Sequence, residues 1–389
     1  MPVRHCLPAV LMCLVLATLV QAQAPRAGAR VQPMTHRPVV EGDHKGHDAA
    51  SQTASLSNDQ ITYGLLYNSC WDASHAPGGA VGEAYLGMSQ PTSANWYQGG
   101  FLHLKINGQD LGLAKLSDLW IAEQGPRATL KFYYDHPQAA VLISATLYAA
   151  DNRLFVNLGL TPRTEIKTLD LGLLSYPSYF TYWNKRNGDR KGMTATATYP
   201  QADGKKVALD PRSQPWIAFY DTIFDPAKGE GDGGCAVAFL PEQVLSAETV
   251  VGSYACTVDL KVKPDTRNIR LCFWDFNKQG NQEALTALTA ALPQTLERMR
   301  AMSFLPLAIS EYDVAAKADL ARTQLAGLPG RQPLEQRLAT QSAELLRLRQ
   351  DLLDNKVPDP AAVEKTLTEK MAAFEQLLWD VRFFVLING

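Results

Sequence analysis

From Ile61 to about Phe276, apolar residues recur mostly at every second position. In residues 100–106 (GFLHLKI), Leu102, Leu104 and Ile106 fall on one face and Phe101, His103 and Lys105 on the other, the period of a half-buried strand. Asn107-Gly108 follows, a dipeptide that accepts positive φ and closes tight hairpins. Runs at 128–134, 140–149, 153–160, 166–174, 193–199, 215–221, 235–240, 249–260 and 267–276 predict further strands, with Pro, Gly and Asx turns between them. Such spacing predicts antiparallel sheets packed as a sandwich with a large core.

The period changes at Asn281. Leu285, Leu288, Leu292, Leu296 and Met299 mark an amphipathic helix over 281–303, in which Pro293 predicts a kink or a restart. Leu334, Leu338, Leu345, Leu348 and Leu352 repeat at heptad positions. Val357-Pro358-Asp359-Pro360 interrupts them, and Val363, Leu367, Met371, Phe374, Leu378 and Val381 repeat again. Two such runs predict an αα-hairpin. The apolar end, Phe383 to Ile387, predicts a docked last turn or an added strand. The fold class is thus mainly β: a large antiparallel β-sandwich over 59–280, followed by a C-terminal α-helical segment over 281–389 that contains an αα-hairpin.

The segment 25–58 has few large apolar residues and reads as a flexible leader. Within it, Asp43, His44, His47 and Asp48 could catch a divalent ion, but a disordered donor set would carry the full ordering entropy on binding, and a polar tail is the better reading. Residues 1–24 have the pattern of a secretory signal: Arg4 and His5, an apolar run from Leu7 to Val20 too short to span a bilayer comfortably, and small residues at 21–24. They predict a secreted or periplasmic protein, of bacterial style, with no transmembrane segment after signal removal. Cys70, Cys235, Cys256 and Cys272 would remain. In an oxidising compartment they could form two disulfides, a bridge among Cys235, Cys256 and Cys272 being the readiest, or stay as small buried hydrophobes.

The chain carries 37 Lys and Arg against 39 Asp and Glu, so it is no global polycation. Basic charge concentrates at 175–191 (SYPSYFTYWNKRNGDRK), where Lys185, Arg186, Arg190 and Lys191 face the single carboxylate of Asp189. Five aromatics, Tyr176, Tyr179, Phe180, Tyr182 and Trp183, run into this loop. Aromatic faces stack on the C–H faces of sugars, and guanidinium forks bind carboxylate or sulfate. Tyr182, Trp183, Lys185, Arg186 and Arg190 are therefore the candidate binding residues. The other reading is a core-edge strand end followed by solvated cations.

For acid–base chemistry the candidates are His136, in Tyr133-Tyr134-Asp135-His136-Pro137, and His103, which lies on the polar face of its strand. Adjacent strand residues point to opposite faces, so Asp135 does not automatically orient His136. His75 lies in a Gly-rich loop. Asp221, Asp225, Glu230 and Asp232 form an acidic loop that could hold Ca²⁺ or supply paired carboxylates, without the spacing of an EF-hand. No metal site or cofactor is implied. A G-x-S-x-G elbow, a phosphate-binding P-loop and H-E-x-x-H are all missing from the sequence. Near-neutral charge and the expected compartment argue against nucleic acid.

Residues 141–178, VLISATLYAADNRLFVNLGLTPRTEIKTLDLGLLSYPS, resemble a hairpin of galactose mutarotase-like supersandwiches, in which a long strand ends in a D-x-R or D-N-R turn and a later strand leads into a Pro-Ser loop. The long strands of 236–262 fit the same style. The resemblance implies a carbohydrate-leaning fold and transfers no catalytic residue; fold alone is not function. It implies a carbohydrate ligand, with anionic polysaccharide and lyase-type elimination as the natural chemistry of an enzyme. His136, His103 or a tyrosine would then take the proton, and Arg186 or Arg190 would neutralise the carboxylate. The alternative is a non-catalytic binding or envelope-assembly protein that uses the sandwich for a ligand and the helices for a protein partner.

Overall fold

The computed structural model describes residues 25–42, 45–71, 85–177, 189–228 and 231–389. The protein is mainly β, with two large antiparallel sheets and a C-terminal helical segment. Among the described residues, one sheet, here the long sheet, has eleven strands. Its centre is built from Tyr85–Gln90, Leu102–Ile106, Leu169–Ser175, Cys256–Val262 and Val244–Val251, side by side in that order. The other, the short sheet, has nine strands, with Cys235–Phe239, Asn268–Asp275, Leu154–Pro162, Ala139–Tyr148 and Arg127–His136 adjacent in its middle.

The core lies between the sheets. Leu102, Leu104, Ile106, Leu171, Leu173, Val258 and Leu260 from the long sheet meet Val141, Ile143, Leu158, Val237, Leu271 and Phe273 from the short one, all essentially inaccessible. Phe101 departs from the alternation. It precedes the strand proper and turns inward, its ring 5.3 Å edge-to-face from Phe273. The Asn107-Gly108 turn forms as its sequence demands, with φ of 51° and 78°. The run at 249–260 proves to be a hairpin, Val244–Val251 and Cys256–Val262, and the run at 193–199 divides into Arg190–Met193 and Thr198–Pro200.

The flexible leader is not what forms. Gly28–Val31, Thr35–Pro38 and Asp48–Ser57 are strands at the margin of the long sheet, and Asp48–Ser57 pairs along its whole length with Thr62–Trp71. The segment lacks large apolar groups because small ones suffice: Ala27, Ala29, Ala54 and Leu56 are buried at alternate sites. Residues 1–24, the expected signal, lie outside the described residues.

Asn281–Ala301 (α1) is one helix despite Pro293. Its Ala284, Leu288, Leu292 and Met299 cover the outer face of the short sheet, packing on Phe155, Trp216, Cys272 and Trp274. The Asp-Asn-Arg turn fastens it. Asp151 accepts from Arg153 Nε at 2.6 Å and from Arg298 of α1 at 2.7 Å, while Arg153 donates to Thr295 Oγ1 at 2.6 Å. After the short helix Leu307–Ser310 (α2), helices Val314–Leu325 (α3), Gln332–Leu353 (α4) and Pro360–Asn388 (α5) make a separate apolar core of Leu325, Leu338, Leu345, Leu367 and Phe374. The expected αα-hairpin is α4 with α5, and α3 packs on both. Glu364 of α5 pairs with buried Lys131 of the short sheet and accepts from Trp120 Nε1, and Tyr133 Oη donates to Pro358 O at 2.5 Å. The apolar end continues α5. Phe384 and Val385 pack on the helical core, whereas Phe383, Leu386 and Ile387 stay exposed, so this end is only half docked.

No disulfide joins Cys235, Cys256 and Cys272, which are buried thiols. Register explains it. Cys235 faces Asp275 and Cys272 faces Ala238 on adjoining strands, so their sulfurs point to opposite faces, one into the inter-sheet core and one under α1. Cys256 belongs to the long sheet. Burial pushes the Cys256 thiol up to about 12.

Candidate functional site

The outer face of the long sheet lies open, and its centre forms a groove of about 610 Å³. Alternation puts every second side chain of four adjacent strands into it. Register then aligns them in rows: His103 beside Gly172, Gly172 beside Asp259, and Asp259 beside Glu248. The next row runs Lys105, Asp170, Lys261, Ser246. Gly172 leaves the middle of the floor flat. A Cβ there would lie 3.5 Å from Asp259 Oδ1 and 3.7 Å from His103 Cβ, ordinary contact distances.

His103 is half-buried, and its Nε2 donates to Gly100 O at 3.1 Å. A carbonyl only accepts, so Nε2 carries a proton in this contact. Glu248 and Asp259 are direct cross-strand neighbours, with Cβ atoms roughly 4.5–5.5 Å apart. Lys206 holds Glu248 at 3.0 Å. Partial burial raises the Asp259 carboxyl above the ordinary range. Lys206 pulls against that, Glu248 adds to it, and Lys105 and Asp170 act in opposite senses. With Asp110, the lining holds four carboxylates against three lysines.

The candidates from the sequence fall in three places. His103 lines the groove. His136 does not: it is fully buried in the short sheet, where Nδ1 accepts the Gln138 N–H at 3.2 Å and burial lowers its affinity for a proton. Adjacent Asp135 points out to an ion pair with Arg163, as the strand's alternation requires. A side chain sealed there supports a turn and cannot touch a polymer. Arg190 is also fully buried. It donates to Ser253 O at 2.7 Å and Gly252 O at 3.4 Å, tying the turn of the Val244–Val251 hairpin, so its charge serves the scaffold and not a surface ligand. Tyr176 sits beside that turn, its ring 5.0 Å from Tyr254 and 4.8 Å from Tyr97. Tyr182, Trp183, Lys185 and Arg186 lie outside the described residues, as do His75 and Glu230. Of the acidic loop, Asp221 is buried and Asp232 half-buried. Among the described residues no group of His, Cys, Asp and Glu could hold a metal ion.

Sequence reasoning placed Lys105 beside His103 but did not find Asp170, Glu248, Asp259, Lys206 or Lys261. Their signal was the outward set of each strand. In Cys256–Val262 and Leu169–Ser175 the polar sites are Thr257, Asp259, Lys261 and Asp170, mostly charged where an ordinary solvated strand would carry Thr and Ser.

No protein-family model matches the sequence, and no curated protein matches it significantly. Several solved structures match in part. A Klebsiella pneumoniae protein provisionally assigned as an aldose 1-epimerase aligns over 70% of this chain and 96% of its own, at 11% identity and a TM-score of 0.37. A glycoside hydrolase family 36 α-galactosidase from Geobacillus stearothermophilus aligns over 75% of this chain and 48% of its own, at 11% identity and 0.34. An α-N-acetylgalactosaminidase from Bifidobacterium bifidum aligns over 72% and 41%, at 10% and 0.38. The chain thus spans less than half the length of either glycosidase.

Proposed function

We propose that the protein handles carbohydrate and that a sugar chain lies across the outer face of the long sheet, in the groove between His103 and Glu248. The groove's composition carries this reading: hydroxyls meet ammonium donors and carboxylate acceptors along a floor flattened by Gly172. Three lysines against four carboxylates make no net positive field, so a neutral or mixed chain suits it better than a uniform polyanion. A uronate unit in such a chain would set its carboxylate against Lys105 or Lys261. His103 then takes the proton on the carbon next to that carboxylate. The electron pair forms a C=C bond as the glycosidic C–O bond breaks, and Asp259 protonates the departing oxygen. Export is part of the proposal and is supported by the pattern of residues 1–24.

The test is calorimetric titration of the mature chain with neutral and uronate-containing polysaccharides, with absorbance of the unsaturated product followed in parallel. Binding should appear and should weaken about tenfold or more in Lys105→Ala/Lys261→Ala, whose charged contacts contribute roughly 1.5–3 kcal/mol each. Product formation should vanish in His103→Ala while binding persists. A panel in which nothing binds sinks the reading, and binding with no product leaves a recognition module.

One observation favours a protein partner for the helices as well. Trp379, Phe383 and Leu386 recur on one face of α5 and stand 60%, 65% and 80% exposed. Light scattering on the mature chain and on Phe383→Ser/Leu386→Ser would show whether that stripe holds an assembly together.

A further inference from the structure

A second cavity, of about 530 Å³, opens at one end of the sandwich, between the turn before Thr62, the end of the strand Tyr85–Gln90 and the end of Asn268–Asp275. It shares no lining residue with the groove. Its polar lining is unusual in kind. Gln60, Gln90, Asn152, Asn277 and Gln279 surround it, with Thr62 and the carboxyl of Asp275, and neither Lys nor Arg takes part.

Some sandwich amides elsewhere are engaged, while Asn157 in the short sheet likewise leaves a buried Oδ1 without a partner. Asn95 Nδ2 donates to Asp275 and Gly234 O, Gln214 Nε2 reaches Thr194, Thr196 and Tyr199, and Gln243 donates to Asn268 O and accepts the Arg270 N–H. At this cavity Asn277 Oδ1 is buried with no hydrogen-bond partner, an arrangement that native structures seldom leave unexplained. Asp275 is held in place. Its Oδ1 accepts from Asn95 Nδ2 at 3.0 Å and its Oδ2 from Thr92 Oγ1 at 3.1 Å, and Thr92 in turn accepts the Asn95 N–H. Burial lifts this carboxyl to about 8, against the pull of Asn95 and Thr92 and with a push from Asp232. Burial thus favours its uncharged form.

We infer that this cavity is a binding site for one small uncharged polyhydroxylated molecule, a single sugar ring or a polyol. Carboxamides offer donor and acceptor together, the pairing that vicinal hydroxyls present from the other side. With neither Lys nor Arg in the lining, nothing there would balance a carboxylate or phosphate, and a charged analogue would lose its hydration uncompensated. The volume lies within the range of small-molecule sites. The inference is independent of the groove, which takes a chain; this pocket takes a single unit.

Ligand-detected saturation-transfer NMR on the full mature chain, with neutral hexoses and hexitols beside the matching hexuronates, tests it. Neutral compounds should show transfer, and hexuronates about tenfold weaker binding or none. Asn277→Ala and, separately, Gln90→Leu should each reduce affinity about tenfold, the scale of one lost hydrogen-bond partner. Gln90 is exposed, so its replacement should leave the melting temperature unmoved and keep the test valid if Asn277→Ala folds poorly. Transfer to the neutral compounds should be unmoved in Lys105→Ala/Lys261→Ala, the pair that weakens binding in the groove. The inference falls if no neutral compound gives transfer, if transfer survives both pocket substitutions, or if it disappears in Lys105→Ala/Lys261→Ala. The last result would move the ligand to the groove and leave the groove reading standing.

Discussion

The two sheets of this sandwich share one core and treat their outer faces in opposite ways. The short sheet is covered: Phe155, Trp216, Ala236 and Trp274 lie beneath α1, and strand Leu154–Pro162 is buried on both faces over most of its length. The long sheet presents His103, Lys105, Asp170, Asp259 and Lys261 to solvent. A strand buried on both sides reads as a continuous apolar run, and one with a wet face alternates. The proposed groove therefore lies on the sheet that α1 leaves uncovered, and residues 281–389 contribute no residue to its lining.

The covered side should be the more fragile. Lys131 is 1% exposed and its partner Glu364 is 7% exposed at the side chain, one on the short sheet and one on α5. Removing one partner strands a buried charge, so Lys131→Ala should cost about 3–5 kcal/mol, whereas Lys131→Met/Glu364→Leu should come near neutral. Urea denaturation of the two variants measures both. A small effect of Lys131→Ala would mean that the helices hang loosely on the sheet and that the contrast between the faces is weak.

Much of this contrast was legible along the chain. The alternation of Leu102–Ile106, the apolar run VLISATL and the heptads of α4 and α5 each report a local period, and local period is what a sequence displays. The strands at 28–57 escaped because Ala fills buried sites such as Ala29 and Ala54 while adding little hydrophobic signal to the sequence. The groove escaped for a different reason. Gly172 stands between His103 and Asp259 only because Leu169–Ser175 inserts between Leu102–Ile106 and Cys256–Val262, and that order is a property of the tertiary fold. His136 misled in the opposite direction: its neighbours Tyr134 and Asp135 are chemically suggestive, yet the side chain lies inside the sandwich.

Asp275, at the end of a strand that runs under α1, sharpens the comparison through pH. Its folded affinity for a proton is raised, to about 8, chiefly by burial. The folded state then binds a proton that the unfolded chain has released, so this group's contribution to stability falls as pH climbs from the ordinary carboxylate range to about 8 and is level above it. Asp275→Asn imitates the protonated acid: its Oδ1 can accept from Asn95 while its Nδ2 donates to Thr92. Relative to wild type, the variant should gain in melting temperature with each step of rising pH up to about 8. Parallel curves for the two proteins would show that Asp275 ionises at its ordinary value.

The smallest effect on stability should come from the change most damaging to the proposed function. Gly172→Val adds a branched side chain at the centre of the groove floor. The backbone there is that of an ordinary strand, and the first added atom meets Asp259 and His103 at 3.5 and 3.7 Å, neither a clash. A β-branched residue in place of glycine within a strand is favourable to the sheet. Denaturation midpoints should therefore stay within about 0.5 kcal/mol of wild type, the range of surface substitutions. Polysaccharide binding should nevertheless be lost, because the two methyl groups stand where a sugar ring would lie flat between the imidazole and the carboxylate. The covered face offers no comparable site, since filling it perturbs packing first. If Gly172→Val binds glycan as the wild type does, the ligand does not cross the middle of this sheet, and the open face is a solvated surface whose charges merely keep it wet.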